Sequence, residues 1–278
     1  MKRTLLIIGM VALMFHACDQ EDCGCSLGPE DFFKSYISYY VDCKGENSMR
    51  VQMFIKKINP STNIIGGSRD YTWRVGETNP NIFSVADGIA MHIHGHEWSV
   101  EERPERDTCI FYDTKYDADR KKGFEKYRDL TGDTCFNQVL REPPTTVYAI
   151  ITPLQHITIT ADKDFSEEYE AGSDLSGLFT VYFEDPYSVI KNGYRDIENT
   201  YKYTEGLPYA QSVVKARLSE ANFPERPFIG DEWELFLDVA PEETGTYTFH
   251  IKATFVDGTV LEAVAPPVNI QGQMKESR

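Results

Sequence analysis

The sequence predicts a mainly β protein, built as an antiparallel β-sandwich with few short helices. Short runs of β-branched and aromatic residues recur at intervals of roughly 8–12 residues, with Asn, Gly and Pro between them. Two segments, His156–Thr160 and Tyr247–Phe255, alternate apolar and polar residues, as expected of strands with one buried face. Asp257-Gly258 is a strong two-residue hairpin signal between apolar pairs. These observations favour an antiparallel sheet that closes near the C-terminus.

The other elements are predicted from the same kinds of pattern. Six further runs are expected to be strands because they are short, apolar and rich in β-branched or aromatic residues. They are Tyr36–Val41, Val51–Ile55, Tyr71–Val75, Val147–Ile151, Phe179–Phe183 and Trp233–Leu237. Two segments stay ambiguous. Asp117–Leu130 is highly charged and predicts a short surface helix or a mobile loop, while Pro208–Asn222 fits helical and strand spacing about equally.

The N-terminus has the order of a bacterial lipoprotein signal. A basic start at Lys2 and Arg3 precedes an apolar run, Leu5–Phe15, and Ala17 stands directly before Cys18. The run is about half of the roughly 20 residues that cross a bilayer, so we expect no permanent transmembrane helix. Residues 1–17 are therefore predicted to be a cleaved signal, with Cys18 lipid-modified and anchoring the protein in the membrane.

The mature chain divides by composition. Residues 18–31 are acidic, small and turn-forming, which predicts a solvated tether. Residues 32–278 are expected to form the β-rich globular region, with a division into two parts plausible near residue 143, at Pro143-Pro144. The formal charge is −16, and loss of the two cations in the signal brings it near −18. Such an acidic chain without a basic cluster predicts no binding to nucleic acid.

Five cysteines follow Cys18, and an oxidising envelope favours disulfides among them. They are Cys23, Cys25, Cys43, Cys109 and Cys135. We hypothesise a Cys109–Cys135 bridge, which would close the charged segment, and a pairing of Cys43 with Cys23 or Cys25. Buried thiols, or metal binding by Cys23-Gly-Cys25, remain alternatives, although no second Cys-x-x-Cys pair completes a zinc site.

The sharpest candidate for chemistry is His92-Ile93-His94-Gly95-His96-Glu97, which holds three of the six histidines of the chain. On a strand, alternation would place the three imidazoles on one face, roughly 6.5–7 Å apart. Such histidines, with Glu97 as an auxiliary carboxylate, could bind a divalent transition metal. The alternative is a solvent-facing strand or loop whose histidines are merely polar.

Several carboxylate pairs could be argued as the two carboxylates of a glycosidase. They are Glu101-Glu102, Asp117 with Asp119, Glu167-Glu168 and Asp231-Glu232. In so acidic a chain we expect them to lie on solvated surfaces. The sequence contains no Gly-x-Ser-x-Gly elbow, phosphate-binding glycine loop or His-Glu-x-x-His motif.

A family resemblance adds to this interpretation. Asp19, Glu21 and Asp22 directly after Cys18 resemble the acidic export tag of surface lipoproteins from Bacteroides and its relatives. The run ITPLQHITITADKDFSEEYEAGSDLSGLF (Ile151–Phe179) and the closing GTYTFHIKATFVDGT are similar to uncharacterised lipoproteins of that group. The resemblance implies an immunoglobulin-like sandwich exposed at the outer membrane and carries over no activity.

We therefore expect a non-catalytic binding or structural module, with metal binding through the histidines or, less favoured, a glycan or peptide hydrolase as alternatives. A glycan or a partner protein would be the ligand of such a module. The segments expected to be binding loops are Gly76–Asp87, Lys115–Asp133 and Pro186–Glu205, since they combine charge, turn residues and, in two of them, tyrosine.

Overall fold

The computed structural model describes residues 37, 39–41, 49–56, 71–74, 76–94, 109–111, 118–133, 148–193, 200–201 and 213–273. Within them lie seventeen strands and two α-helices, α1 (Ala118–Thr131) and α2 (Pro186–Lys191). The strands are β1 Tyr39–Val41, β2 Arg50–Ile55, β3 Tyr71–Arg74, β4 Ile82–Phe83, β5 Ile89–His94, β6 Cys109–Phe111, β7 Tyr148–Ile150, β8 Leu154–Ala161, β9 Phe179–Glu184, β10 Thr200–Tyr201, β11 Val213–Arg217, β12 Ile229–Gly230, β13 Glu232–Leu237, β14 Gly245–Tyr247, β15 Phe249–Phe255, β16 Val260–Val264 and β17 Val268–Ile270. The fold is mainly β, as predicted.

The largest sheet has seven antiparallel strands in the order β10-β11-β9-β13-β5-β2-β3. Side chains alternate between its two faces, and the residues that share one of these faces are almost all apolar. Met53, Met91 and Leu235 are neighbours across β2, β5 and β13, and all three are fully buried. Burial of each such side chain stabilises the fold by about 1.5–3 kcal/mol.

A second layer covers this apolar face. Strands β16, β15 and β8 form an antiparallel sheet in which Ile251 pairs with Ile159, and both side chains are buried. The apolar residues of the two sheets belong to one continuous core, to which the small sheet β14-β17-β4 adds Tyr247 and Val268. The result is a sandwich whose seven-stranded sheet has one face in the main core and one face turned away from it.

The remaining sheet, β12-β7-β1-β6, carries helix α1 and a smaller core. Tyr40 contacts Phe124 and Tyr127 of the helix, with ring centroids 5.2 and 5.7 Å apart. The Ile37 backbone N–H donates to the Asp133 carboxylate at 2.8 Å, which ties the end of the helix to β1. The pairings of β1 with β7 and of β17 with β4 are parallel, whereas the sequence predicts antiparallel sheets.

Most predicted strands are found close to their predicted bounds. The run Tyr247–Phe255, predicted as one strand, is two, because Thr248 leaves the ladder and hydrogen-bonds to Asp162 at 2.9 Å. The Asp257-Gly258 turn joins β15 to β16 as predicted. The ambiguous segments resolve into helix α1 and, for the second, strand β11 followed by a short 3-10 turn.

All three expected binding loops contain regular structure, which corrects that prediction. The segment Gly76–Asp87 holds β4 and the 3-10 turn Val85–Asp87. Residues 118–131 form α1, and residues 186–191 form α2. Helix α2 begins where it does because the Asp185 carboxylate accepts hydrogen bonds from the Ser188 N–H and hydroxyl at 3.0 and 2.7 Å, with Pro186 at the first helical position. The possible division at Pro143-Pro144 lies outside the described residues.

Candidate metal centre

Strand β5 presents His92 and His94 on the same face, as the alternation predicts. The intervening Ile93 and the preceding Met91 point into the main core, which fixes the orientation of the strand. The two imidazole rings lean together, with centroids 4.3 Å apart. The side chain of His92 is only 9 % exposed and that of His94 is 24 % exposed, so the pair sits at the edge of a covered region.

Strand β13 brings a carboxylate to this pair. Glu232 is the register partner of His94, and Glu234 is the register partner of His92. Glu232 Oε2 lies 3.4 Å from His92 Nε2, and Glu232 Oε1 lies 3.4 Å from His94 Nδ1. One carboxylate therefore bridges both imidazoles, and its own side chain is 45 % exposed.

This set has the composition of a transition-metal site. One ligand atom from each of His92, His94 and Glu232 can be chosen so that all lie within 4.8 Å of one another. Ligands of a tetrahedral zinc ion with bonds of about 2.0–2.1 Å lie roughly 3.4 Å apart, so small side-chain rotations would bring the three atoms into range. Two imidazoles and one carboxylate suit zinc, copper, nickel or cobalt, with a position left for water or another ligand.

Two further carboxyl groups surround Glu232. Asp231 is buried, and its pKa lies well above the ordinary value. Desolvation is the larger cause, and repulsion from Glu232 is the smaller one. Glu184, at the end of β9, follows the pair Phe183–Trp233 in the register and thus faces β13 beside Glu232. Its desolvation, followed by repulsion from Asp231 and Glu232, raises the pKa of Glu184 to about 8. A bound cation would lower these pKa values, because positive charge favours the ionised carboxylates.

Gly230 makes the close approach of these groups sterically feasible. A Cβ atom built at Gly230 would lie 2.6 Å from Glu184 Cβ and 3.4 Å from its backbone. Since real Cβ atoms do not approach so closely, only glycine lets β12 pass this near to β9. The Trp233 indole N–H donates to the Gly230 carbonyl at 3.0 Å and further fixes the chain at the start of β13.

Polar groups continue across the same face of the sheet. Lys56 Nζ lies 3.5 Å from Glu234 Oε2, and both side chains are almost fully buried. The Phe54 ring contacts His92 edge-on, with centroids 6.4 Å apart, and belongs to a small apolar cluster on this face. A sheet face that is both polar and buried requires such pairings, because an unsatisfied buried charge is costly.

The sequence located part of this centre. His92 and His94 lie together as predicted, whereas His96 and Glu97 lie outside the described residues. The carboxylate beside the histidines is Glu232, which belongs to a pair that we expected on a solvated surface. Asp231 is buried, so that expectation is wrong for Asp231. The alternation of the segment Glu232–Leu237 could have placed Glu232 on the polar face, but only the strand order shows that it meets β5.

The other predicted residues contribute little to this picture. Glu167 and Glu168 are exposed, as expected of solvated carboxylates. Cys109 lies on β6 with Val41 as its register partner. Cys18, Cys23, Cys25, Cys43 and Cys135 lie outside the described residues, as do Glu101, Glu102 and Asp117.

Fold and site together define a mainly β protein with a two-histidine, one-carboxylate constellation on the outer face of its largest sheet. No family model, curated protein or solved structure matches the chain. Within the part of the chain that the structure describes, no helix is both long and apolar enough to cross a bilayer.

Proposed function

We propose that this chain is a lipid-anchored protein of the cell envelope, exposed at the outer membrane, that binds a divalent transition metal between β5 and β13. The observation that carries the proposal is the convergence of His92, His94 and Glu232, with ligand atoms within 4.8 Å of one another. The side chains come from two strands, β5 and β13, that are far apart in sequence and adjacent in the sheet. The module itself is a binding protein rather than a catalyst.

Two features of the surroundings support metal binding. The ligand strands are held by the main core on their other face, which gives the rigid support that a metal site needs. Burial, followed by repulsion from neighbouring carboxylates, raises the pKa values of Asp231 and Glu184, so both groups hold protons more strongly than ordinary carboxyl groups. Bound zinc would stabilise this arrangement, and the gain would appear as a higher unfolding temperature.

The proposal is tested by zinc titration of the chelator-treated mature domain, followed by calorimetry. His94→Ala and Glu232→Gln remove ligands from positions that are not fully buried. Loss of a direct ligand should weaken zinc binding by about 100-fold or more, because even changes to residues that only hold the ligands in place cost roughly 10–100-fold in affinity. The matched control is His250→Ala, which removes an exposed histidine from the outer face of β15. It should bind zinc as the wild type does.

The same titration can contradict the proposal. Wild-type affinity no tighter than that of a His92→Ala/His94→Ala double variant would end the assignment to this site. Unfolding temperatures measured without zinc show whether each variant is folded, so a loss of affinity is not confused with a loss of structure. Because zinc requires neutral imidazole, affinity should also fall as the pH is lowered.

A hydrolase is the second candidate, and one observation favours it. Carboxyl groups with raised pKa values beside metal ligands occur where a general acid or base acts on a metal-activated water. The zinc-loaded domain would then cleave chromogenic esters, peptides or glycosides, with turnover lost in Glu184→Gln. Saturable metal binding without turnover on these substrates would favour the binding module.

A further inference from the structure

A cleft on the surface of the domain shares no residue with the candidate metal centre of His92, His94 and Glu232. It has a volume of about 640 Å³ and lies between β8, the 3-10 turn Ser176–Leu178 and the segment Leu218–Pro224. This volume is within the range of about 300–1,000 Å³ that is usual for small-molecule sites. None of the loops that the sequence singled out contributes to it.

The floor of the cleft is apolar and its rim is polar. Ile157, Leu218 and Phe223 are buried beneath it, and the exposed ring of Pro224 flanks it. The exposed polar groups on the rim include amides, an imidazole and carboxylates, which offer both donors and acceptors. They are Gln155, His156, Asp174, Ser219, Glu220 and Asn222.

The charge of the lining selects against anions. Among the described residues that line the cleft, two are acidic, Asp174 and Glu220, and none is lysine or arginine. The chain as a whole has a formal charge of −16. A phosphate, sulfate or uronate group would therefore be repelled both locally and at long range.

Hydrogen bonds hold the walls of the cleft in place. Both oxygens of the Asp174 carboxylate accept from Ser176, its N–H at 2.9 Å and its hydroxyl at 3.0 Å. Beside the lining residue Asn222, the Arg226 guanidinium donates to the carbonyls of Ala221 and Asn222, each at 3.1 Å, and to the Asp185 carboxylate at 2.6 Å. A fixed rim lowers the entropic cost of ordering side chains on a ligand.

Asn222 has an uncommon backbone conformation at the mouth of the cleft. Its φ is +51°. Among the residues that the structure describes, it is the one non-glycine residue with a positive φ. The left-handed conformation turns the chain between the two 3-10 turns Leu218–Glu220 and Phe223–Glu225, and asparagine tolerates it better than most residues do. The exposed amide of Asn222 is thereby presented at the rim.

We propose that this cleft binds a neutral saccharide unit. Paired donors and acceptors on the rim match the vicinal hydroxyl groups of a sugar, and the apolar floor with Pro224 matches the C–H face of a pyranose ring. Carboxylates and side-chain amides accept and donate to hydroxyls without requiring a charged ligand. The inference is independent of the metal centre, since the two sites share no residue.

The test is an NMR titration of isotope-labelled mature domain, kept in chelator so that metal plays no part. The probes are soluble neutral oligosaccharides of glucose, galactose, mannose and xylose, together with a uronic acid oligosaccharide and spermidine. We expect at least one neutral probe to shift the side-chain signals of His156 and Asn222 in a saturable way. The uronic acid probe should not shift them.

Matched variants place the binding in the cleft. His156→Ala and Glu220→Ala should each weaken binding of the neutral probe by about tenfold or more, which is a loss of roughly 1.4 kcal/mol or more in binding free energy. The control variants His250→Ala and Glu262→Ala change exposed residues on the outer faces of β15 and β16 and should leave binding unchanged. Because all four positions are exposed, each variant should fold. An unfolding temperature equal to that of the wild type would verify this for each variant.

Three results would overturn the inference. One is that no neutral probe shifts these signals at millimolar concentration. Another is that a neutral probe binds equally well to both cleft variants. The third is that spermidine or the uronic acid probe binds in the cleft more tightly than every neutral sugar, which would assign it a charged ligand instead.

Discussion

Glu184 illustrates how a single residue reflects the packing of three strands. Its carboxyl group lies beside Asp231 and Glu232 because β9 and β13 are register partners and Gly230 permits close contact. In an unfolded chain a glutamate carboxyl titrates near pH ~4.3, whereas here burial and the two neighbours raise its pKa to about 8. Between these values the folded chain keeps a proton that the unfolded chain has lost.

The pH dependence of stability follows from this difference in proton binding. The free energy of unfolding should fall as pH rises from about 5 to 8, because the folded state binds more protons over that range. Glu184→Gln removes the titrating group, so the metal-free variant should lose less stability than the wild type over the same range. Chemical denaturation in chelator at several pH values measures this. Glu167→Gln, an exposed control, should keep the wild-type slope, and a wild-type slope in Glu184→Gln would contradict the account.

Gly230 offers a steric test of the same contact. Gly230→Ala places a methyl group 2.6 Å from Glu184 Cβ, and the backbone must move to relieve the overlap. We expect a loss of about 1–3 kcal/mol in the free energy of unfolding, together with weaker zinc binding. Gly177→Ala is the control, since its nearest contact would be Ser219 Oγ at 4.0 Å. Equal unfolding temperatures for the two variants would show that the contact is not tight.

At the scale of elements, local signals were sufficient for hairpins and single strands. Asp257-Gly258 predicted the β15–β16 hairpin because the turn and both alternating strands lie within a few residues of one another. His92 and His94 were predicted to share a face because period-two alternation is a property of one strand. Such features depend on nearest neighbours in the sequence.

Cross-strand features were not predictable in the same way. The meeting of Glu232 with His94 depends on β13 pairing with β5, and nothing in either segment specifies that partner. Sheet order is selected by packing of the whole core, in which β2, β5, β9 and β13 all present similar apolar faces. Helix α2 lies in Pro186–Glu205, which the sequence predicts as a loop because of its charge and turn residues, whereas the cap by Asp185 begins a helix there.

The β15–β16 turn gives a test at this scale. Gly258 has a φ of +88°, its N–H donates to the Phe255 carbonyl at 3.0 Å, and the Asp257 carboxylate accepts from the Thr259 N–H at 2.9 Å. Gly258→Ala should cost about 1–2 kcal/mol, because a Cβ atom is disfavoured in this conformation. Gly258→Asn should cost less, since asparagine adopts it more readily. Thermal unfolding compares them, and no difference between wild type and Gly258→Ala would contradict this explanation.

At the scale of the whole molecule, the proposed function joins three parts of the chain. Under this proposal, a lipid on Cys18 would hold the protein at a membrane, the predicted tether of residues 18–31 would separate the domain from the membrane surface, and the sandwich would carry the proposed sites. The high negative charge keeps the domain soluble and raises the local concentration of cations around it. A metal cation would be attracted by such a field, and the same field predicts repulsion of a nucleic acid.

Membrane attachment can be tested separately from ligand binding. Cys18→Ala removes the predicted acylation site, so the protein should leave the membrane fraction, because the acyl chains on Cys18 would supply the membrane affinity. Fractionation of cells followed by immunoblotting measures this, with Cys25→Ala as a control that should stay attached. A Cys18→Ala protein that remains membrane-bound would refute the lipoprotein assignment while leaving the metal site untouched.

X-ray absorption spectroscopy of the zinc-loaded domain tests the central claim most directly, because it identifies the atoms bound to the metal. The site formed by His92, His94 and Glu232 predicts nitrogen and oxygen neighbours at about 2.0–2.1 Å, with the multiple-scattering signature of two imidazoles. That signature should disappear in His92→Ala/His94→Ala. Sulfur neighbours at about 2.3 Å, or a shell of water oxygens without imidazole scattering, would contradict the claim.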